Sequence, residues 1–129
     1  MGKIKASIAG GTGYTAGELI RILINHPEVE ITNVISTTQV GDTISSVHRD
    51  LFGDCDLKFT DQVGEPDVLF LCLGHGISRE FLSTHNISEE CRIIDLGNDF
   101  RIESNFMNRE FVYGLCEMNK ESIKDCHSV

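Results

Sequence analysis

Four glycines fall within eight positions of the stretch IAGGTGYTAGELIRILI, residues 8–24: Gly10, Gly11, Gly13 and Gly17. A backbone bare of side chains lets a pyrophosphate come close, and the free N–H groups and positive dipole end of a following helix stabilise its charge. Gly11, Gly13 and Ala16 fit the G-x-G-x-x-G/A spacing of dinucleotide-binding turns, and Gly10, Gly13 and Ala16 fit a G-x-x-G-x-x-A variant. Sequence leaves the register open. The competing reading is a tight turn between strand and helix that holds nothing.

The end of the next apolar run bears on which nucleotide such a turn would hold. An Asp or Glu there bonds the 2'-hydroxyl of NAD and repels the 2'-phosphate of NADP. Here the run ends in Ser36, Thr37, Thr38 and Gln39, all uncharged, which favours NADP, with NAD as the alternative. His75, between Gly74 and Gly76 after a later apolar run, is the histidine best placed to face a cofactor. A lone loop histidine more often positions a ligand, or does neither, than moves a proton. Asp95, Asp99 and Arg101 follow the next run, either as a solvated or turn-capping ion pair or as groups that shape a site. His26, His48, His85 and His127 show no spacing expected of a metal site. None of the cysteines has a convincing base beside it; Cys72 reads as core, and Cys116 as the most loop-like.

These residues need elements to position them. Ile4 to Ala9 is a short, mostly apolar run, and Leu19, Ile20, Leu23 and Ile24 then recur at helical spacing until Pro27 stops the pattern. VEITNVIS, residues 29–36, is rich in β-branched residues and completes a strand-helix-strand unit. DVLFLCLG from Asp67 reads as a strand covered on both faces, followed by a GHG loop and the helix-like SREFLSTH, and CRIIDLG from Cys91 repeats the strand. The alternation implies a doubly wound α/β sheet, mainly parallel, with ligands beyond the carboxyl ends of its strands. Loops 10–17, 36–41, 74–76 and 95–101 then share one edge. From Asn98 the pattern weakens, with a helix start at Asn119 and no evident stop.

The bulk numbers set limits. With 129 residues, 40% apolar and 24% charged, the chain is expected to form one globular domain. No apolar run is long enough to span a membrane and no signal peptide is evident, so a cytoplasmic location is expected. Five cysteines without a CxxC pair argue for reduced thiols rather than a zinc site or disulfides. A net charge of -9 argues against binding to nucleic acid or an acidic membrane, which needs a positive surface.

Four stretches together, GGTGYTAGEL, FLCLGHGIS, IIDLGNDFR and FVYGLCEMN, resemble the amino-terminal part of N-acetyl-gamma-glutamyl-phosphate reductases of arginine biosynthesis. The family's usual forms are close to GATGYTGAEL, LPHGVS, IDLSADFR and YGLPE, so the resemblance covers essentially the whole chain. It implies a Rossmann-like domain over residues 1–129, incomplete at its C-terminal end, that holds NADPH for reduction of an acyl-glutamyl 5-phosphate to its semialdehyde. By the same resemblance Gly10, Thr12, Gly13, Tyr14, Thr15 and Ala16 surround the pyrophosphate, Ser36, Thr37 and Thr38 the adenosine phosphate, and Gly74 with His75 the nicotinamide side. Where the family often has Ser-Arg-Ser, this chain has Ser36-Thr37-Thr38, without the arginine expected to meet a 2'-phosphate. Ala16-Gly17 reverses the family's usual Gly-Ala.

The family's nucleophilic cysteine and acid-base histidine are expected beyond Val129, so no catalytic residue is assigned and these residues alone are expected to be inactive. Two rivals remain: a fragment like aspartate-semialdehyde dehydrogenase, against which GYTAGEL, DFR and YGL speak, and a stand-alone dinucleotide-sensing module. Expected partners are a small acyl phosphate in the parent enzyme and other copies of the chain in a homo-oligomer.

Overall fold

Ala6, Ser7, Ile8 and Ala9 have no exposed surface, because the strand that carries them, β1 (Ile4–Ala9), is paired on both edges and covered on both faces. The computed structural model describes residues 2–129. Helix α1 (Tyr14–Leu23) packs on one face of β1 and α2 (Ile77–Thr84) on the other. The period of two along β1 divides its side chains: Ala6 and Ile8 join Ile20, Leu23 and Val34 in one core, and Ala9 joins Leu69, Leu71, Leu82 and Ile93 in the second. Ser7, on the second face, satisfies its buried hydroxyl by donating to the Val63 carbonyl at 2.8 Å.

The remaining strands of the main sheet are β2 (Val29–Ile35), β3 (Phe59–Thr60), β4 (Val68–Leu71) and β5 (Arg92–Asp95). Their order is β3-β2-β1-β4-β5, every pair parallel. The chain thus winds outward from β1 in one direction and then restarts at β4 in the other. The crevice between the carboxyl ends of β1 and β4 is the switch point where such sheets bind ligands. Because all five strands run the same way, the turns after Ala9, Ile35, Leu71 and Asp95 share one edge, as the sequence implies.

The expected first strand, first helix and later strands stand where periodicity puts them, give or take two residues. Ile24 caps α1, and Pro27 prevents its continuation. Several features escape sequence reading. The two-residue β3 and the 3-10 turns Ile44–Ser46 and Arg49–Leu51 are too short to show a period. A hairpin, β6 (Asn105–Phe106) with β7 (Arg109–Glu110), turns on Met107 and Asn108 at positive φ. Helix α3 (Cys116–Asp125) begins before Asn119, which instead marks a kink with φ -117° and ψ 22°. It also stops: His127 to Val129 run parallel beside β5, where the Ile93 amide donates to the His127 carbonyl and the Asp95 amide to that of Val129.

Candidate functional site

At the end of β1, Gly10 turns the chain with φ +77°, and a Cβ there would strike the Cys72 carbonyl at the end of β4. Only glycine meets both demands. Gly11 is packed from the other side: its amide donates to the Ile35 carbonyl at 2.9 Å, and a Cβ would overlap Val34 and crowd the Phe59 ring. Gly13 differs. It has φ -76° and ψ 166°, open to any residue, and a Cβ would meet nothing nearer than the Gly10 carbonyl at 3.5 Å. The backbone therefore demands glycine at Gly10, the Val34 and Phe59 side chains of this chain fill the space a side chain would need at Gly11, and Gly13 is bare on the open side of the turn. Both sequence registers describe the same loop, with the glycines in different roles.

Gly13 is the N-cap of α1, and the first helical hydrogen bond runs from Gly17 back to the Gly13 carbonyl. The amides of Tyr14, Thr15 and Ala16 therefore precede any intrahelical acceptor. No side chain caps them and no acidic residue stands in the first turn. Thr12, Gly13, Tyr14 and Thr15 are exposed, while Ala16 is buried and brings the helix close to the sheet. An uncapped helix end with a bare N-cap suits an anion.

Ser36, Thr37 and Thr38 leave β2 on the same edge. The Ser36 oxygen accepts from the amides of Thr38 at 3.3 Å and Gln39 at 3.2 Å, so this buried hydroxyl shapes the turn, and Thr37 and Thr38 stay exposed. At β4, Gly10 abuts Cys72 and Leu73, which places the glycine turn against the strand exit that leads to Gly74 and His75. His75 is exposed, with Nδ1 2.7 Å from the Asn98 amide oxygen. That oxygen only accepts, so Nδ1 carries a proton and Nε2 is the ring nitrogen left without a protein partner among the described residues.

Asp99 explains why this loop holds its shape. Its carboxylate, with 2% of the side chain exposed, accepts from the Gly76 amide at 2.7 Å and the Arg79 amide at 3.2 Å, capping α2 from a distant segment. Of the two sequence readings for Asp95, Asp99 and Arg101, capping holds at Asp99, and its basic neighbours are His75 and Arg79 rather than the exposed Arg101. The Arg79 guanidinium donates to the carbonyls of Asp99 and Glu103 and lies over the rings of Phe100 and Phe106. Asp95 accepts from Ser78 and from the Gly97 amide, yet burial pushes its carboxyl above the usual range.

Burial, with Asp95 nearby, pushes the Cys72 thiol up to about 12, which leaves it protonated and without nucleophilic character. Cys91 is likewise raised by burial, and Cys116 is exposed at the start of α3. Among the described residues no group of three or more His, Cys, Asp and Glu is arranged to hold a metal ion, and no helix is long and apolar enough to cross a membrane.

Two residues at the site escape sequence reading. His48, buried in an irregular segment, has Nε2 2.7 Å from the Gly11 carbonyl oxygen. Arg79 lies in an amphipathic helix, where a charge reads as solvated face. Neither gives a periodic signal.

The family model described as semialdehyde dehydrogenase, NAD binding domain, matches residues 5–126. The N-acetyl-gamma-glutamyl-phosphate reductase of Christiangramia forsetii is 51% identical over 127 residues, which is 98% of this chain and 39% of that protein. The proteins of the same name from Bacteroides fragilis and Flavobacterium johnsoniae are 53% and 51% identical, over 92% and 94% of this chain and 37% and 38% of their own lengths. The chain therefore spans under two fifths of the curated relatives it matches. A crystal structure of aspartate semialdehyde dehydrogenase with NADP from Candida albicans shares the fold, with a TM-score of 0.63 and 20% identity over 79% of this chain and 32% of that one. With a glycine turn at the switch point of a parallel sheet and a family match over nearly its whole length, the chain belongs to the semialdehyde dehydrogenase NAD-binding domain family.

Proposed function

We propose that the chain is the cofactor-holding part of an N-acetyl-gamma-glutamyl-phosphate reductase, which reduces an N-acyl-glutamyl 5-phosphate to the semialdehyde with NADPH. The observation that carries the cofactor reading is the bare N-cap at Gly13, open outward and followed by three amides without intrahelical acceptors. The relatives' shared name, at about half identity over nearly the whole chain, supports the choice of reaction.

In this reading Gly10 bends the backbone clear, Gly13, whose amide closes the turn onto the Gly10 carbonyl, leaves room for the pyrophosphate, and the amides of Thr12, Tyr14, Thr15 and Ala16 surround it. Thr37 and Thr38, on the turn made by Ser36, meet the adenosine phosphate. Gly74 leaves room for the nicotinamide, and His75 offers Nε2 as an acceptor to its carboxamide. A bound nicotinamide dinucleotide supplies the hydride. The chain's residues orient that group and exclude water from one face. The nucleophilic cysteine and acid-base histidine belong, in this proposal, to the remainder of the longer protein.

No acidic side chain stands in the Ser36-Thr37-Thr38-Gln39 turn to repel a 2'-phosphate, which favours NADP over NAD. The missing arginine makes the expected preference modest, about tenfold in Kd. Assay of the full-length protein with NADPH and either N-acetyl-glutamyl phosphate or aspartyl phosphate tests the reaction: turnover of the first supports the proposal. Turnover of aspartyl phosphate alone would replace it with the reading suggested by the Candida albicans fold, and cofactor binding without turnover of either would favour a sensing module.

A further inference from the structure

The segment between β2 and β3 folds back over α1, and its contacts converge on the glycine turn. Ile44 and Leu51 are buried in the core beneath α1. The Arg21 guanidinium grips Asp50 with two bonds, Nε to Oδ2 at 2.5 Å and Nη2 to Oδ1 at 2.8 Å. Between these anchors sits His48, 7% exposed, with Nε2 2.7 Å from the Gly11 oxygen. A carbonyl only accepts, so Nε2 carries the proton.

The ring has a seat prepared for it. A Cβ on Gly17 would lie 2.7 Å from His48 Nδ1 and 2.8 Å from its Cε1, inside van der Waals contact with a buried ring that has little room to yield. Glycine inside a helix costs about 1 kcal/mol relative to alanine, and here its smallness admits the imidazole. With its amide bonded to Ile35 and its carbonyl to His48, Gly11 has both backbone groups fixed by the interior. In a planar trans peptide the carbonyl of one residue and the amide of the next point in opposite directions. Holding the Gly11 oxygen inward therefore aims the Thr12 amide outward, to the exposed side of the turn.

We propose that His48 is a positioning residue for the pyrophosphate turn: seated against Gly17, it locks the Gly11–Thr12 peptide so that an amide, not a carbonyl oxygen, faces the phosphates. Released, that peptide can rotate and present an oxygen to the anion. This rests on the dinucleotide reading above.

The test is NADPH affinity by fluorescence titration, with thermal midpoints, for the full-length wild-type protein, His48→Leu, His48→Ala, His48→Gln, Gly17→Ala and the Gly17→Ala/His48→Ala pair. His48→Leu is expected to raise Kd about tenfold. His48→Gln, which keeps an N–H donor, recovers most of that loss. Gly17→Ala evicts the ring and weakens binding to a similar extent, and it adds nothing in the His48→Ala background, where no side chain fills the seat. Should His48→Leu not fold, Gly17→Ala and His48→Gln carry the test. Folded variants with wild-type Kd, a fall in thermal midpoint alone, or additive effects of the two substitutions would overturn the assignment while leaving the cofactor reading intact. A wild-type protein that binds no NADPH would overturn the cofactor reading itself.

Discussion

Gly10 and Gly13 stand three residues apart in one turn, and substitution separates what each is for. Alanine at Gly10 meets a left-handed backbone and the Cys72 carbonyl together, so Gly10→Ala is expected to cost roughly 2 kcal/mol or more, read as a lower midpoint in urea. Asp95 offers a second test at this scale. Both of its bonds, from Ser78 and Gly97, end on Oδ1, so Asp95→Asn keeps an acceptor in place and removes only the charge. Burial raises the carboxyl in the folded state above its ordinary 3.8, so ionisation opposes folding at neutral pH. That opposition is complete above the folded value and fades as pH falls through it towards 3.8. Asp95→Asn is therefore expected to raise the thermal midpoint by about 2 °C at pH 7, a gain that vanishes near pH 3.

Among the elements, α2 depends most on a residue from elsewhere. Its left-handed N-cap, Gly76, offers no side chain, and Asp99 supplies the missing acceptor across 23 positions of sequence. Asp99→Ala is expected to lower stability by about 1–2 kcal/mol, measured by thermal unfolding, and to free the Gly74–Gly76 loop. Elements of this kind show how far sequence reaches. β1, α1, β2, β4, α2 and β5 are legible because each is long enough to display a period or a continuous apolar run, and the glycine turn because a left-handed backbone and a close approach to Cys72 and Val34 call for glycines between a strand and a helix. β3, with two residues, has no period to display, and the turn at Met107 and Asn108 lacks the glycine that usually announces a hairpin. His48 and Asp99 act through tertiary contacts to backbone groups 37 and 23 residues away, which spacing does not reveal. At Asn119 a preferred capping residue marks a kink rather than a start, because α3 begins one turn earlier at Leu115.

For the molecule as a whole, strand order puts the glycine turn, the Ser36–Thr38 turn and the Gly74–Gly76 loop on one edge of the sheet. The same edge has a cleft of about 430 Å3 beside Asp95, with Leu96, Tyr113 and Leu115 exposed around it. Apolar groups so placed favour self-association, and light scattering is expected to show a mass that rises with concentration; a constant monomer mass would count against it. The central claim, that the glycine turn holds a dinucleotide's pyrophosphate, is most directly tested at Gly13. Aspartate is a favoured helix N-cap, so Gly13→Asp should hold or raise the thermal midpoint while setting a negative charge against the phosphates. In calorimetric titration with NADPH, saturable binding by the wild-type protein and a loss of about 100-fold or more in the folded variant are the predicted results. Equal affinity in the two proteins would contradict the account.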